Sequence, residues 1–375
     1  MELFDVYPLY DITPVSAKGL TLVDDHGVEY LDLYGGHAVI SIGHGHPRYV
    51  NRVKEQLDKI GFYSNAVQNP LQQQLMDALG ALSGCDDYRL FLCNSGAEAN
   101  ENALKLASFH TGKSRVIAFH NSFHGRTSAA VATTDNPGIN APINKQQQVT
   151  FLNFNDLSSL EKELQKGDVC AVILEAIQGV GGLDEPSTPF YRELSKLCHE
   201  HNVVLIADEV QSGFGRSGKF FAFQHHGVDP DIISIAKGMG NGFPVGGILI
   251  HPKFKASHGM LGTTFGGNHL ACAASLAVLE VLEEEQLIRN ASEMGEYFTS
   301  CASGIPEVKR VKGKGLMLGL EFDFEVAPLR KRLIVNQHIF TGSAKDKHVL
   351  RILPALNVSR EQIDQFFTAL KKELA

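Results

Sequence analysis

From about Leu90 to Ile250, short β-rich runs alternate with helical patterns, and this alternation restricts the fold more than any other feature of the chain. Strands separated by helix-length segments are what a mainly parallel sheet covered by helices requires. The runs are Arg89–Cys93, Arg115–Phe119, Val169–Leu174, Val203–Ala207, Ile232–Ala236 and Val245–Ile250. Ahead of them Leu71, Leu75, Leu79 and Leu82 fall near helical spacing and predict an amphipathic helix entering the sheet. After them the pattern changes to one long helix over Leu270 to Glu285, Gly-punctuated runs at Gly315–Phe322 and Val349–Leu353, and a final helix. The expected architecture is α/β, a large mainly parallel-sheet domain with a smaller α+β C-terminal domain. The expected division is an N-terminal segment at 1–45, the large domain at 46–265 and the C-terminal domain at 266–375. No repeat or Pro/Ser-rich linker interrupts it, so the domains are expected to share a packed interface.

A chain of 375 residues with 43% hydrophobic content buries a large core and is not a disordered or fibrous protein. Its formal net charge of −8 leaves no electrostatic footprint for nucleic acid or an anionic membrane, which points to small-molecule partners. Cys85, Cys93, Cys170, Cys198, Cys272 and Cys301 stand singly, without metal-ligand spacing. They read as reduced, mostly buried thiols in a cytoplasmic protein. Residues 1–10 carry Glu2 and Asp5 and lack the pattern of a signal peptide. No run approaches the roughly 18 apolar residues of a membrane helix.

In open parallel sheets ligands bind at the carboxyl ends of the strands, so the residues that end these runs are the candidates for chemistry. Cys93 is followed by Asn94-Ser95-Gly96-Ala97-Glu98, and Phe119 by a segment from His120 to Arg126. Leu174 is followed by Glu175, Ala207 by Asp208-Glu209-Val210-Gln211, and Ala236 by Lys237. Ser95 with Glu98 three residues later is a capping-box pattern, with Ala99, Ala103 and Leu106 on the inner face of the helix it opens. Free amides in such a first turn favour a phosphate, and Gly96 permits close approach. Taken alone, the segment is a capped helix.

Lys237 follows a buried-looking run and precedes Gly238-Met239-Gly240-Asn241-Gly242. A lysine desolvated in a pocket lowers its pKa and attacks carbonyls, whereas a solvated strand-end lysine stays protonated. Asp208 supplies a carboxylate able to keep a pyridine nitrogen protonated. That pairing suits pyridoxal phosphate bound to Lys237 as a Schiff base, because the protonated ring is the electron sink. An isolated Asp more often caps a helix. Phe123 is placed to stack on the ring and Gln211 to reach its phenolic oxygen. Their ordinary roles are a core Phe and a surface Gln.

Five segments in order carry a resemblance. They are Asn94 to Asn100, Ser122-Phe123-His124-Gly125-Arg126-Thr127, Asp208 to Arg216, Pro230-Asp231-Ile232 through Lys237, and Thr263-Thr264-Phe265-Gly266-Gly267-Asn268. With them the chain resembles the class III pyridoxal-phosphate aminotransferases of fold type I, and among these the acetylornithine aminotransferases, from about Asp24 to Pro354. The resemblance implies that the Gly96 and Ala97 amides, beside Ser95, hold the phosphate and that Phe123 and Val210 flank the ring. It implies Asp208 at the ring nitrogen, Gln211 and Glu175 nearby, and Thr264 reaching the cofactor of a neighbouring subunit, hence a homodimer with shared sites. Arg126, with Thr263 nearby, would bind the acylated end of the substrate, and Arg351 the glutamate α-carboxylate, which a planar guanidinium engages through two parallel bonds.

The implied reaction transfers the terminal amine of an N2-acylornithine, acetyl or succinyl, to 2-oxoglutarate, giving the acylglutamate semialdehyde and glutamate, as in arginine biosynthesis. The alternatives are ornithine or 4-aminobutyrate aminotransferase and a glutamate-1-semialdehyde aminomutase. Arg126 and Arg351 together favour two carboxylate substrates over the aminomutase, and the intact Lys237, Asp208 and Gln211 argue against a non-catalytic cofactor-binding regulator. A nicotinamide site is disfavoured because no GxGxxG follows an early strand. No metal site is expected. One departure stands out: relatives carry a second Glu where this chain has Val180 in Glu175-Ala176-Ile177-Gln178-Gly179-Val180. The expected consequence is a pocket beside Arg351 that is roomier and less acidic.

Overall fold

In the computed structural model, which describes all 375 residues, the chain opens with strands β1 (Pro14–Lys18), β2 (Thr21–Asp24) and β3 (Glu29–Asp32). The strands β4 (Arg89–Cys93), β5 (Arg115–Phe119), β6 (Val149–Leu152), β7 (Val169–Leu174), β8 (Val204–Asp208), β9 (Ile232–Ile235) and β10 (Gly246–Ile250) follow. The last five are β11 (Arg310–Lys314), β12 (Met317–Glu321), β13 (Ile339–Phe340), β14 (Gly342–Ser343) and β15 (Val349–Ile352).

The large sheet runs in the order β4-β10-β9-β8-β7-β5-β6. Only β10 runs against the others, antiparallel to both β4 and β9, while β9-β8-β7-β5-β6 pair in parallel. Every strand but β10 therefore delivers its carboxyl end to the same edge. The sheet is buried on both faces, which is why its strands read as continuous apolar runs. In β7 every residue is buried. Val169, Val172 and Leu174 join the larger core, whereas Cys170, Ala171 and Ile173 pack with Ala99, Ala103, Leu104, Leu106 and Ala107 of the helix Gly96–Thr111. The expected strands recur within a residue or two, while β6 was not expected. The amphipathic helix spans Pro70–Ser83 with Leu75 and Leu79 buried, and the long helix spans His269–Glu284.

Two smaller sheets complete the molecule, and the expected C-terminal runs fall in the second. The first has the order β1-β2-β3-β13, so the opening strands pair with residues from near the end of the chain, Leu31 opposite Ile339 and Asp32 opposite Phe340. The second is antiparallel in the order β11-β12-β15-β14, with Arg351 in the inner strand β15 opposite Gly319 and Gly342. Between the first small sheet and the large one the backbone makes a left-handed turn at Gly35–Ala38, where even His37 and Ala38 hold φ of 69° and 62°. L-residues rarely adopt that region. Neighbours hold it: the Asp32 carboxylate accepts from the amides of Tyr34 and Gly35, and Asn241 accepts from those of Ser41 and Ile42. The six cysteines are free, all but Cys301 buried, and no helix is long and apolar enough to cross a membrane.

Candidate active site

At the carboxyl edge of the large sheet lies a cavity of about 260 Å³ lined by Gly96, Ala97, Phe123, Arg126, Glu175, Val180, Asp208, Val210, Gln211 and Lys237. Each lining residue follows from its strand. Gly96 and Ala97 open the helix after β4, and Phe123 and Arg126 lie on the loop after β5. Glu175 directly follows β7 and Asp208 closes β8. Lys237 begins a tight turn one residue after Ala236, at a φ of 48°. Holding a lysine in the left-handed region costs on the order of 1 kcal/mol or more and persists only where its surroundings fix it.

Asp208 is 4% exposed, and a carboxylate buried to that degree is tolerable only when its oxygens are satisfied. Its Oδ2 accepts from Asn100 Nδ2 and pairs with His124 Nδ1, both at 2.7 Å, and its Oδ1 accepts from the Val210 amide at 3.0 Å. Ser234 Oγ donates to Asn100 Oδ1 at 2.6 Å and so turns the amide of Asn100 toward Asp208. Asn100 and His124 lie within the sequence motifs, but nothing local assigns them a task. A buried Asn on the apolar face of the helix Gly96–Thr111 was the one available signal.

Burial pushes the Glu175 carboxyl up to about 7; His124 opposes the shift and Asp208 adds to it. Its two oxygens accept from the amides of Phe123 and Gly179, each at 2.9 Å, so it joins the β5 and β7 loops. Burial lowers the pKa of Lys237, with Arg351 adding to the shift and Asp208 and Glu175 opposing it. A lysine with a depressed pKa is the form that serves as nucleophile and base.

At the helix N-terminus Ser95 Oγ accepts from the Glu98 amide at 3.2 Å. The capping box is only half made: the Glu98 carboxylate accepts from the backbone amide and side chain of Asn94, both at 2.9 Å, and leaves Ser95 N alone. The amides of Gly96 and Ala97 lack intrahelical carbonyl partners, as the first groups of any helix do, and face the cavity. A Cβ at Gly96 would lie 2.5 Å from Val210 Cγ1, so only glycine lets the helix end approach this closely.

Arg351, 3% exposed, makes four hydrogen bonds, all to uncharged oxygens. Nε donates to Ser343 O at 2.6 Å and Nη1 to Gly179 O at 2.8 Å, while Gln211 Oε1 at 3.5 Å and the Tyr34 hydroxyl at 3.4 Å are distant acceptors. Gln211 in turn donates to the carbonyl of His37 at 3.1 Å. Arg126 is exposed at the cavity wall. The carboxylate of Glu101 fixes the backbone after it, accepting from Thr127 Oγ1 at 2.7 Å and from the amides of Ala129 and Ala130.

Thr263 and Thr264 fall outside this cavity. Thr263 Oγ1 accepts from the Gly266 amide and from Asn94 Nδ2, beside Asn65 and Gln72 in a separate depression. Thr264 is exposed.

A lysine with depressed pKa, a buried carboxylate and a helix N-terminus with two open amides form the donor set that pyridoxal phosphate requires. On this sheet, they define a pyridoxal-phosphate-dependent transferase of fold type I. More narrowly, the chain belongs to the class III aminotransferases: residues 6–374 match the family Aminotransferase class-III. It is 40% identical over 380 residues to the acetylornithine aminotransferase of Bacillus subtilis, covering 100% of this chain and 98% of that protein. It is 38% identical over 360 residues to the acetylornithine aminotransferase of Methanosarcina mazei, covering 95% of this chain and 90% of the other. Among solved structures it is similar to the ornithine aminotransferase of Toxoplasma gondii ME49, with a TM-score of 0.91, 28% identity and coverage of 98% and 91%.

Proposed function

We propose that this enzyme transfers the terminal amine of an N2-acylornithine, N2-acetylornithine first among them, to 2-oxoglutarate, yielding the acylglutamate semialdehyde and glutamate in arginine biosynthesis. Its likeness to acetylornithine aminotransferases across the whole chain, at 40% and 38% identity, supports this substrate class over ornithine or 4-aminobutyrate. The structural observation that carries the reading is Arg351, a buried cation whose hydrogen-bond partners are all neutral. Such a group is costly to bury unless an anion arrives to pair with it. Arg126, on a loop fixed by Glu101, offers a second guanidinium at the cavity wall, and Arg351 lies behind the lining residue Gln211, so two carboxylate-bearing substrates would be received at different arginines.

Pyridoxal phosphate, when bound, supplies the electron sink that makes a substrate carbon acidic. The chain's own residues do the rest. The amides of Gly96 and Ala97, backed by the Ser95 cap, receive the phosphate, and Phe123 and Val210 confine the ring. Asp208, held in place by Asn100, His124 and the Val210 amide, would pair with the ring nitrogen, while Gln211 and Glu175 would bound the remaining edge. Lys237 Nζ moves the proton at the reacting carbon, a task for which its lowered pKa suits it. Val180 closes the wall next to Gly179 with an aliphatic side chain, and with no acid there N2-succinylornithine suffers little repulsion. This division of labour fits an N-terminal segment 1–45, a cofactor-binding unit 46–265 and a C-terminal unit 266–375.

A homodimer in the cytoplasm completes the proposal. Thr264 is exposed and does not line its own cavity, and exposed Phe62, Tyr63, Val67 and Phe265 lie in the segments that meet there, the Phe62 and Phe265 rings 5.4 Å apart. An exposed apolar cluster of this kind suits a second copy, from which Thr264 and Thr263 would complete the neighbouring site. Free cysteines suit a reducing compartment. Glutamate formation from 2-oxoglutarate is measured with N-acetylornithine, N-succinylornithine, ornithine and 4-aminobutyrate as donors. The acylornithines are expected to lead. Should ornithine or 4-aminobutyrate give the higher kcat/KM, the reading is wrong.

A further inference from the structure

The guanidinium of Arg351 is held from one side by a phenol that is itself held by an imidazole. Its Nη2 donates to the Tyr34 hydroxyl at 3.4 Å, and that hydroxyl lies 2.5 Å from His37 Nδ1. A guanidinium has no acceptor, so the Tyr34 oxygen must offer Arg351 a lone pair. The hydroxyl proton is then directed to His37 Nδ1, which accepts only while unprotonated. Burial lowers the pKa of His37, with Arg351, Lys237 and Arg330 adding to the shift, which favours the unprotonated ring. With His37 Nδ1 unprotonated, the chain runs from Arg351 through Tyr34 to His37.

The backbone fits the same purpose. His37 holds a φ of 69° in the left-handed turn, its carbonyl accepts from Gln211, and Gln211 Oε1 faces Arg351. The Tyr34 ring packs against Gly342, and the Arg351 guanidinium lies 5.8 Å from the ring centroid. Gly342 is the β14 residue opposite Arg351. A turn built at this conformational cost, at the one place where it meets the buried arginine, is more than a connection between sheets.

We propose that Tyr34, oriented by His37, is a positioning residue for Arg351 and sets the affinity of the enzyme for its dicarboxylate substrate. This rests on the reading of Arg351 as the site of the 2-oxoglutarate and glutamate carboxylate. A guanidinium fixed by Tyr34, Gly179 O and Ser343 O presents its remaining N–H groups in one geometry, and an incoming carboxylate loses less freedom in binding them. Tyr34→Phe keeps the ring and removes only the oxygen. His37→Gly removes the imidazole at a φ that glycine adopts freely, and His37→Asn keeps an acceptor in a residue that tolerates the left-handed region.

The test is steady-state kinetics of the holoenzyme with N-acetylornithine and 2-oxoglutarate, with Arg351→Ala measured alongside. Tyr34→Phe is expected to raise KM for 2-oxoglutarate about tenfold, the scale of one hydrogen bond to a charged group, and KM for N-acetylornithine by less than about threefold. His37→Gly is expected to move KM the same way by about threefold, with His37→Asn restoring it. Equal loss for both substrates, or no change in Tyr34→Phe while Arg351→Ala raises KM for 2-oxoglutarate, overturns the role of Tyr34 and leaves that of Arg351 intact. If Arg351→Ala also leaves this KM unchanged, the carboxylate reading itself fails and the proposal falls with it.

Discussion

Asp208 and Arg351 are both buried charges, Asp208 lining the cavity and Arg351 standing behind its lining residue Gln211, yet the regions that hold them are built differently. Asp208 closes a parallel strand, and its partners Asn100, His124 and the Val210 amide come from the helix and loops that follow strands of the same sheet, with Ser234 of the neighbouring strand orienting Asn100. Arg351 lies inside an antiparallel sheet and is held by Ser343 of the neighbouring strand and by Tyr34 and Gly179 from two distant parts of the chain. In the first region the sheet's geometry places the charge and side chains then satisfy it. In the second, backbone carbonyls and a left-handed turn create a socket that no single element defines. The proposed cofactor site thus follows from the sheet's architecture, whereas the proposed carboxylate site depends on contacts that single substitutions can alter.

The comparison is broken most severely at Lys237. Lys237→Ala is expected to cut turnover by about ten-thousandfold, the upper range for a lost proton-transfer group, while the fold survives. Near-normal turnover would remove Lys237 from the chemistry. Asp208→Asn comes next, with kcat expected to fall by about a hundred- to a thousandfold, the scale of a lost charge-stabilising group. Cofactor content, read by absorbance, should be largely kept. A wild-type kcat would place Asp208 outside the reaction.

At the other end, effects should appear in KM and split by substrate. Arg351→Ala is expected to raise KM for 2-oxoglutarate and glutamate by roughly a hundredfold, since losing one partner of a buried charged pair costs about 2–5 kcal/mol. Arg126→Ala, at an exposed position, should raise KM for N-acetylornithine by only about tenfold and spare glutamate. If both variants lose both substrates alike, the two arginines share one role.

The smallest effect on activity sharpens the contrast from within the first region. Glu209 follows Asp208 directly but turns away from the cavity, accepting from the amides of Ala222 and Phe223 and from Ser212 Oγ. Burial pushes its carboxyl up to about 7. A carboxyl raised from its unfolded value contributes stability that is complete below that value, near 4.5, and is lost as pH rises through about 7. Glu209→Gln, which mimics the protonated form, is expected to change kcat by less than about twofold. It should also flatten the fall of Tm between those pH values. An unchanged Tm slope would show that another group carries it.

The difference between the regions also explains what the sequence reveals. Strand ends are legible because a strand buried on both faces must be continuously apolar, so the first polar residue marks its exit. Glu175, Asp208 and Lys237 stand out for that reason. The sequence pattern misses Val149–Leu152 because an edge strand of three half-buried residues and one buried one carries little pattern. His124 and Asn100 become partners of Asp208 only across 84 and 108 residues of sequence, and Tyr34 meets Arg351 across 317. No local periodicity encodes such meetings, and a Gly-Gly dipeptide before His37 signals a turn without saying what it faces.

The pairing of β3 with β13 brings residues 31–32 beside 339–340, and it dictates an order of birth for the site. As the chain leaves the ribosome, Tyr34 and His37 emerge with β3, about three hundred residues before the strand that pairs with it. The seven strands of the large sheet lie between Arg89 and Ile250 and can close on one another during that interval. A nascent chain thus acquires Lys237 and Asp208 in place well before it can shape the socket around Arg351. Stalled or truncated products that end before Ile339 would offer a site able to receive cofactor but unable to select a substrate.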